Sequence, residues 1–110
     1  MDILFASKNL ERLCHDDDLA TRTLGRICAQ KLRARLDDLR AAANLGYAAK
    51  IPGRFRHVAG NRADRYALNL YGNDLLVIRP VHGHEAPEVD KPLSLATITT
   101  IRVMRIGSPE

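Results

Sequence analysis

Hydrophobic positions recur with a helical period in the first half of this chain and with a period of two in the second half. The run DILFA at residues 2–6 is typical of a strand. Ser7 follows it and predicts the N-cap of a short amphipathic helix, KNLERLC. The three aspartates at 16–18 are typical of the start of another helix, because carboxylates favour its free N–H groups.

The longest helical pattern spans residues 19–43 and predicts one amphipathic helix. Its stripe positions recur at steps of three and four: Leu24, Ile27, Cys28, Lys31, Leu32, Leu36, Leu39 and Ala43. We expect Leu24, Ile27, Cys28, Leu32, Leu36 and Leu39 to be buried against a sheet. Asn44 and Gly46 favour the left-handed backbone conformation that ends many helices, so we expect the helix to stop there.

The second half of the chain predicts strands joined by turns. RYALNLY at residues 65–71 places Tyr66, Leu68 and Leu70 on one face of a strand. Gly72-Asn73 is a tight-turn sequence, and LLVIRPV after it is the expected antiparallel partner. TITTIRVMRI is typical of a last strand. The order of elements predicts a single α+β domain over residues 1–110, with an N-terminal strand and two helices packed on a twisted, mainly antiparallel sheet of four or five strands.

Composition and charge narrow the class of protein. The chain has 110 residues, 45% of them hydrophobic and 27% charged, which is typical of one folded domain. Neither a signal peptide nor an apolar run long enough for a membrane span is evident, so we expect a cytoplasmic protein with no membrane contact. The two cysteines, Cys14 and Cys28, lie in helical patterns and are expected to be reduced core residues.

The residues with candidate chemistry are mainly arginines. RFRHVAGNRADRYAL, residues 54–68, carries four arginines, and with the formal net charge of +4 this permits a polyanionic partner. We expect an exposed phosphate-binding patch on one sheet face or its rim, formed by Arg54, Arg56, Arg62, Arg65 and Arg79. Arg54 and Arg56 are two apart and would share a strand face, whereas Arg102 and Arg105 are three apart and would not.

Two further hypotheses concern histidines. His57 is the one histidine of the basic stretch and could transfer protons near neutral pH; the alternative is an exposed strand residue without a chemical role. His82 and His84 would point the same way in an extended segment, but a zinc site needs three or four ligands and no further one is placed by the sequence. We therefore expect neither a metal nor another cofactor.

Four segments of the chain resemble the HigB-like killer toxins of the RelE/ParE superfamily, from bacterial type II toxin–antitoxin systems. These are ILFASKNLERLC, KLRARLDDLRAAANL, IPGRFRHVAGNRADRYALNLYG and ITTIRVMRI, with Gly60-Asn61-Arg62 in place of a Gly-Asp-Arg-like turn. The resemblance implies a RelE-like fold and a metal-independent endoribonuclease that cleaves messenger RNA at the ribosome. It also implies a helix-turn-helix antitoxin as partner, and it makes Arg62, His57, Arg65 and Arg79 the candidate catalytic residues.

Three departures from the family pattern keep alternatives open. Ala59 stands where some members have a lysine, Leu75 stands where members usually have an arginine, and the chain ends RIGSPE without an aromatic-histidine pair. A protein of the same fold that has lost catalysis would still bind an antitoxin or the ribosome. A ParE-like inhibitor of DNA gyrase would share the fold and differ in its target.

Overall fold

The computed structural model describes residues 1–58, 65–81 and 95–108 and has an α+β architecture, with helices on one face of a five-stranded sheet. The helices are α1 (Lys8–His15), α2 (Asp17–Leu24) and α3 (Arg26–Ala41), with short 3-10 helices at Leu45–Lys50 and Leu95–Thr97. The strands are β1 (Asp2–Phe5), β2 (Arg56–His57), β3 (Tyr66–Asn69), β4 (Leu75–Pro80) and β5 (Thr100–Gly107). The predicted α+β class is thereby confirmed, and the described residues form five strands, where four or five were expected.

The sheet is mixed, with strand order β1-β5-β4-β3-β2. The pairs β2/β3, β3/β4 and β4/β5 are antiparallel, as expected for consecutive strands, and the turn at Gly72-Asn73 joins β3 to β4. Gly72 has φ 59°, a left-handed conformation that glycine adopts without strain. The strand β1 is parallel to β5 because the helices carry the chain across the sheet between them.

The prediction of one helix over residues 19–43 was wrong, because the chain breaks at Gly25 into α2 and α3. Gly25 has φ 88° and ψ 158°, which is incompatible with a continuing helix. The predicted N-caps are confirmed: the Ser7 hydroxyl accepts from Leu10 N–H at 3.2 Å, and the Asp16 carboxylate accepts from Leu19 N–H at 3.0 Å.

The core lies between α3 and the sheet. Its largest fully buried side chains include Leu32, Leu36, Leu39, Leu68, Leu76, Ile78, Ile101 and Val103. Cys28 is buried as predicted, but Leu24 is only half-buried and Ile27 is 44% exposed, so the expectation for Ile27 was wrong. The stripe of a helix that begins at Arg26 is centred on residues 28, 32, 35, 36 and 39, and Ile27 falls outside it.

The end of α3 also differs from the expectation. Ala42 leaves the helix in an extended conformation, and Asn44 caps the following 3-10 helix, its side chain accepting from Gly46 N–H at 2.9 Å. Neither Asn44 nor Gly46 has a positive φ. Carbonyls at the end of α3 accept instead from the Met1 amino group, at 3.2 Å for Leu39 and 2.8 Å for Arg40, which ties the start of β1 to this helix.

Within the described residues, no helix is long and apolar enough to cross a membrane.

Candidate nucleic-acid interface

The register of the strands assigns each sheet residue to one of two faces. Directly paired residues point to the same side of a sheet, and neighbours along a strand point to opposite sides. Leu68, Leu76, Ile78 and Val103 belong to the core cluster, so they define the face covered by the helices. We call the opposite side the arginine face, because its residues include Arg56, Arg65, Arg79, Arg102 and Arg105.

The first row of the arginine face runs across three strands. Leu4 of β1 pairs with Arg102 of β5, which pairs with Arg79 of β4. Tyr66 of β3 pairs with Ile78 of β4, and the two strands are antiparallel. The residue before Tyr66, Arg65, therefore lies opposite the residue after Ile78, Arg79. Val58 N–H donates to the Arg65 carbonyl at 2.9 Å, so the ladder from β2 continues to this point.

The second row has arginines at its two ends and small apolar residues between them. Arg56 of β2 pairs with Ala67, Ala67 pairs with Val77, and Val77 pairs with Arg105. Ala67 is 1% exposed and Val77 is 9% exposed, although neither belongs to the core cluster on the helix side. A third row, Asn69, Leu75 and Gly107, places Leu75 on the same face, two residues before Val77.

A β-bulge brings Arg102 and Arg105 to the same face. Val103 pairs with Ile78 and Arg105 pairs with Val77, so Met104 is an extra residue with no partner on β4. The expectation that Arg102 and Arg105 point to opposite sides assumed regular alternation along β5, and it was wrong for this reason. Because of the bulge, β5 places two arginines on the arginine face, whereas a regular strand with the same sequence would place one there.

Arg79 and Arg102 form a direct cross-strand pair of like charges. Such pairs destabilise a sheet, because the two side chains stand about 5 Å apart at their roots. The Nε of Arg79 and the Nη1 of Arg65 are shielded from solvent, so part of this positive charge is desolvated. Guanidinium groups clustered in this way attract an anion and can donate charge-assisted hydrogen bonds to it.

The structure does not bring His57 to the arginine face. His57 follows Arg56 along β2 and pairs with Tyr66, whose next partner is the core residue Ile78. The His57 ring lies 5.2 Å from the Tyr66 ring, and Phe55 stacks on Tyr66 at 5.1 Å. An imidazole on this side is separated from the guanidinium groups by the sheet itself.

Arg54 does not share a strand face with Arg56, because β2 begins only at Arg56. Arg54 has φ 55°, a left-handed conformation that is uncommon for a residue with a side chain, and it lies in the turn before the strand. Its carbonyl accepts a hydrogen bond from Arg56 Nη1 at 3.0 Å, which holds the Arg56 side chain beside the turn. The described residues do not include Arg62, Ala59 or Gly60. They also do not include the histidines His82 and His84.

Arg35 is a buried cation that the sequence reading missed. It is 9% exposed in the middle of the α3 stripe, and its Nε has no hydrogen-bond partner within the described residues. A Cβ added at Gly53 would come within 3.1 Å of this Nε, so the guanidinium lies directly beneath the turn that carries Arg54. Position 35 is three residues after Leu32 and four before Leu39, which is the pattern that could have revealed it.

Neither thiol has the properties of a nucleophile. Burial raises the pKa of Cys14 to about 11, with Arg40 opposing the shift. Burial also raises the pKa of Cys28 to about 11, and a hydrogen bond with the Asp74 side chain adds to it. Both cysteines are free thiols, and both are therefore protonated at neutral pH. Across residues 1–58, 65–81 and 95–108, no group of three or more His, Cys, Asp or Glu residues could hold a metal ion.

Comparisons of the chain with protein-family models, with curated proteins and with solved structures gave no match.

Proposed function

We propose that the arginine face binds the sugar–phosphate backbone of single-stranded RNA, and that the chain is a RelE-like toxin acting on messenger RNA. The observation that carries this proposal is the row formed by Arg65, Arg79 and Arg102, in which like charges stand opposite each other on the sheet face that lies opposite the core. Guanidinium groups clustered in this way attract a polyanion, and phosphate oxygens accept charge-assisted hydrogen bonds from them.

RNA fits this face better than a base-reading partner would. Guanidinium groups match phosphate oxygens in a bidentate geometry, and phosphate contacts need no particular base. The described part of the face supplies few aromatic rings on which bases could stack; Tyr71, in the hairpin turn, is 53% exposed but lies beyond the end of β3. In the resembling toxins the ribosome presents the message, so a face that holds only the backbone would suffice.

In the cleavage reaction, the arginines would stabilise the negative charge that develops on phosphorus. Arg79 and Arg65 suit this role, and Arg62 joins them through the resemblance in sequence. A proton acceptor for the 2′-hydroxyl is also required. His57 is a poor candidate for it, because its side chain lies on the other side of β2 from Arg56.

The position of His57 favours a second candidate function, in which the chain binds RNA or the ribosome without cleaving. The family arginine that Leu75 replaces would lie on the arginine face, because Leu75 is two residues before Val77 on β4. Binding and cleavage are therefore to be measured separately.

Fluorescence anisotropy with a short labelled single-stranded RNA tests the binding function. The affinity should fall steeply with salt, and Arg102→Gln should reduce the slope of log K against log salt by about 0.7, the value for one phosphate contact on a single strand. Arg26→Gln is the matched control, because Arg26 is an exposed arginine at the start of α3, away from the face. Equal losses in the two variants would mean that only the net charge matters, and the proposal would fail.

A further inference from the structure

A cleft of about 450 Å³ lies along β1, at the side of the sheet where the first arginine row ends. The residues around it include Leu4, Phe5, Lys8, Glu11 and Arg102. Its volume is within the range of small-molecule sites, which is about 300 to 1,000 Å³. The lining combines apolar side chains with one carboxylate and two cations, and a few charged groups in such a site can fix the orientation of a ligand.

Arg102 belongs both to this cleft and to the arginine face. Leu4 pairs with Arg102, which pairs with Arg79, so the cleft continues the row of guanidinium groups towards the edge of the sheet. Leu4 is 41% exposed at this point and is the last residue of the row. A polyanion that crosses the sheet along the row arrives at Leu4 and the cleft.

The main chain of β1 offers further hydrogen-bonding groups. The N–H groups of Asp2 and Ala6 donate to carbonyls on the β5 side, of Thr99 and Val103. In a parallel pair, alternate residues bond the same neighbour, so the N–H and C=O groups of Ile3 and Phe5 point away from β5. Both residues line the cleft.

We infer that this cleft binds one nucleobase of the RNA strand whose phosphates lie on the arginine face, an inference that rests on the proposed function. The base covers Leu4, its polar edge meets the Glu11 carboxylate and the main chain of β1, and Lys8 and Arg102 hold the flanking phosphates. The arginine rows carry no sequence information, so this cleft supplies the base contact of an otherwise backbone-binding surface.

A second class of occupant would be an extended peptide paired with the edge of β1. It would use the same main-chain groups of Ile3 and Phe5. It would leave unexplained why the cleft shares Arg102 with a row of cations that leads into it. Continuity with the arginine face therefore favours the nucleotide.

Abasic scanning tests the inference with the full chain. The affinity of a single-stranded RNA is compared with that of the same strand carrying one abasic nucleotide, placed at each position in turn. At one position the wild-type chain should bind the abasic strand about fivefold more weakly, a modest value for one base contact. Leu4→Ser and Glu11→Gln should each bring this ratio close to one.

Two variants serve as matched controls. Asp18→Asn removes an exposed carboxylate in α2, and Lys31→Gln alters an exposed side chain on α3; both should keep the fivefold ratio. The ratio compares the affinities of two RNA strands for the same variant, so changes in net charge and in the folded fraction cancel.

If no abasic position lowers the affinity while RNA binding persists, the cleft proposal is overturned and the proposed function stands. If no RNA binds at all, both fail. A flat scan combined with slowed hydrogen exchange at Ile3 and Phe5 in the presence of an acidic peptide would assign the cleft to a protein strand and overturn the proposal.

Discussion

Arg102 and Arg105 lie on the same face of β5 although two residues separate them, because Met104 between them has no partner on β4. The spacing in the sequence is that of residues on opposite sides of a strand. With Met104 in the chain, the bulge therefore lets β5 contribute two arginines to the arginine face in place of one.

Deletion of Met104 should be tolerated. Without this residue Arg102 and Arg105 become two apart in a regular strand, and the pairs Val103–Ile78 and Arg105–Val77 can form unchanged. We expect a folded protein whose RNA affinity is within about twofold of the wild type, since every charged side chain keeps its face. Deletion of Val103, which is fully buried, is the control and should unfold the chain. Circular dichroism and anisotropy measure both; loss of RNA binding in a folded Met104 deletion would contradict the assignment of the face.

Replacing the buried cation of α3 should stabilise the protein. In Arg35→Met an apolar side chain of similar length takes the place of a guanidinium whose Nε makes no hydrogen bond within the described residues. Replacement of buried charges by apolar residues often raises stability, and we expect about 1 kcal/mol or more in the free energy of unfolding in urea.

Arg33→Met is the control for that experiment. Arg33 forms an exposed ion pair with Asp17 and should change stability by less than about 0.5 kcal/mol. A clear destabilisation by Arg35→Met would show that the guanidinium makes a favourable contact, and the interpretation of Arg35 as an unsatisfied core cation would be wrong.

Truncation of the α3 stripe should separate core positions from surface positions. Leu36 is 1% exposed, so Leu36→Ala should lower the free energy of unfolding by about 2–5 kcal/mol. Ile27 is 44% exposed, and Ile27→Ala should lower it far less. Urea denaturation of the two variants under the same conditions gives the comparison. Similar losses would mean that α2 and α3 form the continuous helix that the sequence alone predicts.

The two thiols should make the protein less stable at high pH. Both have a pKa of about 11 in the folded state against an ordinary value of 9.0, so the folded state favours the protonated form. Their contribution is complete below pH 9 and is lost as the pH rises towards 11, because the unfolded chain ionises first. In Cys14→Ala/Cys28→Ala the fall in unfolding free energy between pH 9 and 11 should be shallower than in the wild type, because the variant lacks both thiols. Parallel curves would contradict this assignment.

Expression of the chain alone should distinguish cleavage from binding. A toxin slows growth and cuts messages during translation, and Arg79→Gln should relieve both effects because a single lost donor reduces transition-state stabilisation by about 3 kcal/mol. If the wild type is harmless, Leu75→Arg should create toxicity, since residue 75 lies on the arginine face beside the second row. Gln30→Arg adds the same charge at an exposed position of α3, away from the arginine face, and is the control. Harmless behaviour of all folded variants would leave the binding function alone.

Periodicity was sufficient for the fold class, the strands and the main core stripe, because the buried positions of α3, β3 and β4 follow regular spacings. It failed at Gly25, where one glycine has little effect on a long helical pattern and yet adopts φ 88°. The bulge at Met104 has no local sequence signature, since it depends on how β5 aligns with β4. Arg35 was not predicted to be buried, because charged side chains are seldom buried, although its position lies within the apolar stripe of α3. Clustering of arginines predicted a basic surface, but only the register of four strands shows which of them share a face.

The parallel pairing of β1 with β5 has a consequence for the order in which the molecule is completed. Residues 2–5 must wait for partners at 100–103, so the sheet cannot close while the chain is being made from its first strand onwards. The strand that closes it also carries Arg102 and Arg105. A nascent chain therefore lacks two cations of its arginine face until β5 has left the ribosome, and its full attraction for RNA arises only with the finished fold.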